Sequence, residues 1–117
     1  MSNTSPALAL LVEDDLVLRQ MFAEALEDEE VDVIQCASAE AAELIIGRSG
    51  AELAVLITDV NLAGHGSGIE LARFARYMFP GIKVVVISGQ SVDDLPEDVA
   101  FLQKPFVAEE LVKAALA

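Results

Sequence analysis

Polar side chains that can bind a cation or react with phosphate stand at the ends of four apolar runs in the sequence. Three consecutive acids at positions 13–15 follow the first run, Asp59 ends another, and Ser88 and Lys104 end two more. Clustered carboxylates take up protons or bind a cation, and a site made of oxygen ligands suits Mg²⁺. Beside a bound cation, Asp59 can stay ionised and attack phosphorus to form an aspartyl phosphate. The hydroxyl of Ser88 and the ammonium of Lys104 can then contact the phosphoryl oxygens.

The apolar runs themselves predict a parallel β-sheet. Short β-rich runs alternate with longer stretches of helical period, which is typical of strands joined by crossover helices. Three runs are almost continuously apolar, as central strands covered on both faces should be. The second run is interrupted by Asp32 and Gln35, which indicates an edge strand. The five predicted strands span residues 7–13, 31–37, 53–59, 82–88 and 100–104.

Helical period identifies the first helix, which follows residue 15. Its apolar residues recur at i, i+3, i+4, i+7 and i+8, so they share one face of the helix. They are Leu18, Met21, Phe22, Ala25 and Leu26. This face is therefore expected to pack against the sheet.

Capping and breaking residues delimit the second and third helices. Ser38 is the predicted N-cap of the second helix, and Gly47 and Gly50 are its stop signals. Ser67 and Glu70 form a capping box at the start of the third helix. This pattern places one helix after each of the second and third strands.

The last part of the chain has less room for helices. Residues 91–98 leave space for barely two turns and contain Pro96, so any helix there is short. A terminal helix is predicted over residues 106–116, after Pro105. Residues 1–6 are predicted to be a loose tail.

The polar residues also have ordinary structural interpretations. Asp14 or Asp15 can cap the first helix, Ser88 can be a turn residue, and Lys104 can be a solvated strand end. Parallel strands, however, bring their carboxyl ends to one edge, and ligand sites form outside that edge. Neighbouring strands lie about 4.8 Å apart, so the ends of the first and third could bring three carboxylates close together. The common location of the set favours a functional site.

Composition limits the class of protein. A chain of 117 residues that is 54% hydrophobic is one domain with a substantial core. No apolar run is long enough to cross a bilayer, and the N-terminus has no basic signal region, so we expect a cytoplasmic protein. A net charge of −13 argues against direct binding to nucleic acid or membranes. The single cysteine, Cys36, is expected to be a small buried hydrophobe.

Four short motifs give the sequence a recognisable pattern. They are LVEDD at residues 11–15, ITDVNL at 57–62, VVISG at 85–89 and QKPF at 103–106. In order, spacing and strand placement they resemble the motifs of the response regulator receiver domain. The resemblance implies a flavodoxin-like, doubly wound α/β fold with five parallel strands in the order 2-1-3-4-5. Helices would cover both faces, and the fourth helix of the family would be short or absent here.

The resemblance also implies a ligand set. Asp59 matches the phospho-acceptor of the family. Glu13 and Asp14 match the acidic pair that holds Mg²⁺ directly or through water, and Asn61 matches the position whose backbone carbonyl is a further metal ligand. Asp15 then falls one residue past the pair, where a capping role is expected.

Three further positions match residues that respond to phosphorylation in the family. Ser88 matches the switch hydroxyl, and Lys104 matches the lysine that pairs with the phosphoryl group. Phe101 matches the aromatic switch position on the fifth strand. Lys104-Pro105 matches a peptide bond that is cis in the family. His65, in a glycine-containing loop after Asp59, is expected to be solvated.

The resemblance implies a stand-alone, single-domain response regulator over residues 1–117. It would accept a phosphoryl group from a sensor histidine kinase or a histidine phosphotransfer protein, and would signal to another protein, relay phosphate or act as a phosphate sink. It would not be an enzyme beyond its own phosphorylation and dephosphorylation. A receiver-like adaptor that is not phosphorylated is the main alternative. A small Mg²⁺-dependent phosphatase is disfavoured, because Asn61 stands where such enzymes generally place a second aspartate.

Overall fold

The computed structural model describes residues 6–64 and 66–117. Over these residues, five parallel strands form one sheet in the order β2-β1-β3-β4-β5. The strands are β1 (Leu8–Val12), β2 (Asp32–Cys36), β3 (Val55–Asp59), β4 (Lys83–Ser88) and β5 (Val99–Gln103). This order confirms the predicted topology, including β2 as an edge strand. The predicted loose tail before Pro6 and the predicted solvation of His65 fall outside the described residues.

Helices cover both faces of the sheet, as predicted. They are α1 (Leu16–Glu27), α2 (Ala39–Ser49), α3 (Gly68–Met78) and α4 (Ala108–Leu116), and a 3-10 turn spans Gly50–Glu52. Residues 89–98, all of which are described, contain no helix. The fourth helix of the family, predicted to be short or absent, is therefore absent, and α4 is the terminal helix. None of the helices in the described ranges is long and apolar enough to span a membrane.

The core consists of two apolar layers, one on each face of the sheet. Successive strand residues point to opposite faces. Ala9, Leu11 and Ile57 pack toward α1 and α4, whereas Leu10 and Leu56 pack toward α2 and α3. Burial of both faces explains why β1, β3 and β4 are apolar along nearly their whole length.

Capping predictions are confirmed at three helices. The side chains of Asp15, Ser38 and Ser67 accept hydrogen bonds from the backbone N–H groups of Leu18, Ala41 and Glu70, at 3.0, 3.2 and 3.2 Å. At α3 the Glu70 carboxylate also accepts from the Ser67 N–H, which completes the capping box. Each of these groups satisfies a backbone donor that a helix N-terminus leaves unpaired.

Two details of the helices differ from the prediction. Gly47 does not stop α2, which continues to Ser49 and is capped by Gly50; a helix interior tolerates a glycine at a cost of about 1 kcal/mol. Met21 was placed on the buried face of α1, but its side chain is 54% exposed and Ala23 is buried instead. The buried face is set by how α1 lies on the sheet beside α4, which periodicity alone does not specify.

Cys36 lies at the end of β2 and is only partly buried, where it packs against the layer beneath α2 and α3. Burial raises the pKa of its thiol. The thiol is therefore protonated at neutral pH and acts as a small packing group, although it is only partly buried and not buried as predicted.

Candidate functional site

The register of the central strands places the predicted site residues at one edge of the sheet. Val12 pairs with Thr58, so the residues that follow them, Glu13 and Asp59, lie side by side at the ends of β1 and β3. On the other side Ser88 pairs with Gln103, and the Lys104 N–H donates to the Ser88 carbonyl at 2.8 Å. Four polar side chains therefore lie at one edge of the sheet, at the carboxyl ends of β1, β3, β4 and β5. They are Glu13, Asp59, Ser88 and Lys104.

Glu13, Asp59 and Lys104 form the centre of the site. The Lys104 ammonium donates to Glu13 Oε1 at 3.0 Å and also to Asp59 Oδ2. Both carboxylates are buried, with 2% and 6% of their surface exposed. If both carboxylates are ionised, one ammonium leaves a net negative charge in a poorly solvated place. Such an arrangement favours a further cation or a proton.

The environment of Glu13 opposes its ionisation. Burial raises the pKa of this carboxyl to about 7, and the nearby Asp59 carboxylate acts in the same direction. The Asp15 N–H, which donates to Glu13 Oε2 at 3.1 Å, and the Lys104 ammonium act against this rise. Glu13 is therefore a carboxylate whose charge needs a positive partner.

Lys104 stays charged in this setting. Partial burial acts to lower its pKa, but the hydrogen bonds and charges of Asp59 and Glu13 outweigh burial, so the pKa is raised. A permanently charged ammonium can pair with a carboxylate in one state and with a phosphoryl group in another. The peptide bond between Lys104 and Pro105 is cis, as the resemblance implied.

One backbone N–H orients the Asp59 carboxylate from the other side, and a side-chain hydroxyl binds the Asp59 main-chain carbonyl. The Asn61 N–H donates to Asp59 Oδ1 at 3.0 Å, and the Thr58 hydroxyl donates to the Asp59 carbonyl at 2.9 Å. Each carboxylate oxygen of Asp59 therefore has a defined donor. Asn61 itself is exposed, and its predicted role depends only on its backbone carbonyl.

Ser88 and Phe101 lie in the positions expected of switch residues. Ser88 is buried, and its hydroxyl accepts a hydrogen bond from the Gln90 N–H at 3.1 Å. Phe101 pairs with Val86 and is partly buried against the layer beneath α2 and α3. Because residues 89–98 form no helix, Phe101 lies next to an irregular segment. Ser88 lies at the edge of the sheet that carries the site, and the switching roles of both residues stay predictions.

The structure does not gather all three predicted carboxylates. Asp14 is exposed, and within residues 6–64 and 66–117 no three His, Cys, Asp or Glu side chains converge closely enough to hold a metal. The two carboxylates that converge offer only oxygen donors, and the adjacent backbone at Asn61 offers another. This donor chemistry fits Mg²⁺, with waters completing the shell.

Two residues of the site were not singled out from the sequence as contributors to it. Arg19, on α1, donates from Nη1 to the Glu13 carbonyl at 2.8 Å. Its position four residues after Asp15, on the same side of a helix, was the available signal. Gly68, the first residue of α3, lies so close to the Asp59 carbonyl that a Cβ there would be 1.9 Å from its oxygen. Only the folded structure reveals this contact.

Residues 9–116 match the family model described as the response regulator receiver domain. The chain belongs to this family. Two curated relatives are each 31% identical to this receiver. The response regulator receiver protein CpdR of Brucella abortus aligns over 88% of both chains. The alginate biosynthesis transcriptional regulatory protein AlgB of Pseudomonas aeruginosa aligns with 91% of this chain, which spans only 24% of AlgB.

Solved structures of receiver domains share the fold. A response regulator receiver protein from Sinorhizobium medicae superimposes with a TM-score of 0.88 at 28% identity, covering 95% of this chain and 92% of the other. The flavodoxin-like architecture predicted from the sequence is thereby confirmed for this receiver.

Proposed function

We propose that this receiver accepts a phosphoryl group from a phosphohistidine onto Asp59, with Mg²⁺ bound at the same edge of the sheet. The observation that carries the proposal is the Lys104 ammonium held between the buried carboxylates of Asp59 and Glu13. Membership of a signalling family supports phosphotransfer over metabolic catalysis. The donor would be a histidine kinase or a histidine phosphotransfer protein, and the output a change in protein–protein contacts.

The transfer exchanges one bond to phosphorus for another. A carboxylate oxygen of Asp59 attacks phosphorus, the P–N bond of the phosphohistidine breaks, and its electron pair returns to the imidazole, which takes up a proton. The Asn61 N–H and Lys104 orient the attacking carboxylate. Hydrolysis later breaks the new O–P bond by attack of water, which releases inorganic phosphate and restores the Asp59 carboxylate.

Glu13, Asp14, Asp59 and the Asn61 carbonyl would hold Mg²⁺. The ion would offset the negative charge shared by the carboxylates and the transferring phosphoryl group. Lys104 would then contact a phosphoryl oxygen while it stays near the carboxylates. The Ser88 hydroxyl, which accepts from the Gln90 N–H at 3.1 Å, would have to turn toward the phosphoryl group. That rotation would alter the turn after β4 and so couple phosphorylation to the adjoining surface.

Intact mass measurement tests the proposal directly. After incubation with a small phosphodonor and Mg²⁺, the wild type should gain one phosphoryl group and Asp59→Asn should gain none. Asp28→Asn is the matched control, because it removes an equal charge at an exposed position at the far end of α1. Absence of any gain in the wild type, with either the small donor or a cognate kinase, would instead favour an adaptor that is not phosphorylated.

A further inference from the structure

In the turn that carries Glu13 and Asp14, the main-chain carbonyl of Glu13 is held by the guanidinium group of Arg19. Residues 13–15 lie between β1 and α1, and among the described residues no main-chain N–H of either element donates to the Glu13 carbonyl. The donor is Arg19 Nη1, at 2.8 Å in a partly buried position. A carbonyl in such a place depends on a protein donor, because water reaches it poorly.

Arg19 also ties this turn to the neighbouring strand. Its Nε donates to Gln35 Oε1 on β2 at 3.3 Å, and its own N–H donates to the Asp15 carbonyl at 2.9 Å. The Glu13 N–H donates to the Cys36 carbonyl, also on β2, at 3.1 Å. Both polar main-chain groups of Glu13 are therefore hydrogen-bonded. Its N–H donates to β2, and its carbonyl accepts from Arg19.

The held carbonyl belongs to the peptide bond that joins Glu13 to Asp14. The orientation of this plane reflects ψ of Glu13 and φ of Asp14, and a change in one of these dihedrals that the other does not compensate would turn one side chain relative to the other. Glu13 and Asp14 are the residues proposed to bind Mg²⁺. An uncompensated change of this kind would thus alter the separation and direction of two ligands.

We infer that Arg19 is a positioning residue for the cation site, which it serves by fixing the Glu13–Asp14 peptide plane. The inference rests on the proposed function. Arg19 acts through the backbone and touches neither the phosphoryl group nor the acceptor carboxylate. Partners of this kind, which orient the ligands of a metal, typically change its affinity by about 10–100-fold when they are removed.

The charge of Arg19 and its positioning role predict opposite effects of its removal on Mg²⁺ affinity, so a measurement of that affinity distinguishes them. A guanidinium close to a cation site repels the cation, so its charge alone would weaken Mg²⁺ binding, and its removal would tighten binding. If Arg19 positions the ligands, its removal weakens binding. A residue that only stabilised the fold would lower the melting temperature and leave the affinity of the folded protein unchanged.

The experiment is a Mg²⁺ titration by calorimetry on the folded wild type, Arg19→Met and Arg48→Met. Arg48 is exposed on α2, so its variant removes an equal charge away from the turn. We expect the Kd for Mg²⁺ to rise about 10-fold or more in Arg19→Met and to stay unchanged in Arg48→Met. In amide NMR spectra without Mg²⁺, the Asp14 and Asp15 resonances should shift in Arg19→Met.

The outcomes separate this inference from the proposed function. A wild type that binds Mg²⁺ and is phosphorylated, together with an Arg19→Met variant of equal or tighter Mg²⁺ affinity, overturns the positioning role alone. A wild type that binds no Mg²⁺ overturns both. If Arg19→Met does not fold, Arg19→Lys decides the question. A single ammonium lacks the two separate donors that reach Glu13 and Gln35, so a weaker Mg²⁺ affinity is expected and an unchanged affinity contradicts the inference.

Discussion

Glu13 and Asp59 are two buried carboxylates that share one ammonium group, that of Lys104. Each carboxylate also accepts a backbone N–H, from Asp15 or Asn61. Both acids are thus oriented before any ligand binds, and one ammonium cannot balance both of their charges when both are ionised. A site of this kind attracts a cation, and its oriented carboxylate suits the phosphoryl transfer proposed above.

Replacement of Lys104 by methionine should slow phosphorylation. The ammonium is the partner expected to contact a phosphoryl oxygen, and loss of one such donor typically reduces a rate by about 100-fold or more. The measurement is the rate at which intact mass increases with a small phosphodonor at saturating Mg²⁺. Lys113→Met on α4 is the control, and an equal rate in Lys104→Met and wild type would remove Lys104 from the mechanism.

At the scale of elements, the site is flanked by α3 and by the irregular segment 89–98 that follows β4. Helix α3 begins at Gly68, which lies against the main-chain carbonyl of Asp59 at the end of β3. The irregular segment 89–98 is attached to α3 by Arg73, whose Nη2 donates to the Asp94 carbonyl and carboxylate at 3.2 and 2.8 Å. These contacts are exposed, and exposed ion pairs contribute little stability. The segment is also held by a second ion pair, between Arg76 Nη2 and Asp98 Oδ2 at 3.8 Å, and by Leu95, which packs against the layer beneath α2 and α3.

Two glycine-to-alanine substitutions in helices should have opposite effects on stability. At Gly68 a Cβ would lie 1.9 Å from the Asp59 carbonyl oxygen, so alanine should lower the free energy of unfolding by about 1–3 kcal/mol or more. At Gly47 nothing lies within 4 Å of a Cβ, so alanine should raise it by up to about 1 kcal/mol. Urea denaturation measures both. Equal effects of the two substitutions would show that the close approach at Gly68 does not exist in solution.

At the scale of the whole molecule, the acidic charge has two parts. The chain has 20 acidic and 7 basic residues, and most of the acids cover the surface, including the acidic end of α1 at Glu27–Glu30. Glu13 and Asp59 are instead concentrated at the carboxyl edge of the sheet. Salt screens the repulsion among the surface acids, whereas a bound divalent cation would offset the charge of Glu13 and Asp59.

Mg²⁺ should therefore raise the melting temperature more than NaCl does at the same ionic strength. A ligand that binds only the folded state stabilises it by about 2.7 kcal/mol at 100 times its Kd, which corresponds to several degrees for a domain of this size. Asp14→Asn should weaken the Mg²⁺ effect with little change in the metal-free melting temperature, because Asp14 is exposed. Equal shifts with Mg²⁺ and NaCl, measured by circular dichroism, would argue against a specific site.

Much of the molecule followed from the sequence alone. Strand positions, the parallel sheet and the edge location of β2 were predictable because burial on two faces requires continuous apolar runs, and only Asp32 and Gln35 broke one of them. The caps at Ser38 and Ser67 were predictable because capping is local. The acidic motif, Asp59, Ser88 and Lys104 could be singled out as candidates because each stands at or just after the end of an apolar run.

Only the tertiary structure decided how these pieces meet. It placed Lys104 between Glu13 and Asp59, left Asp14 exposed, turned Met21 to the surface and brought Arg19 back to the Glu13 carbonyl. These outcomes depend on side-chain direction and on the angle at which α1 lies against the sheet. Sequence periodicity specifies which residues share a face, whereas packing between distant elements specifies what that face touches.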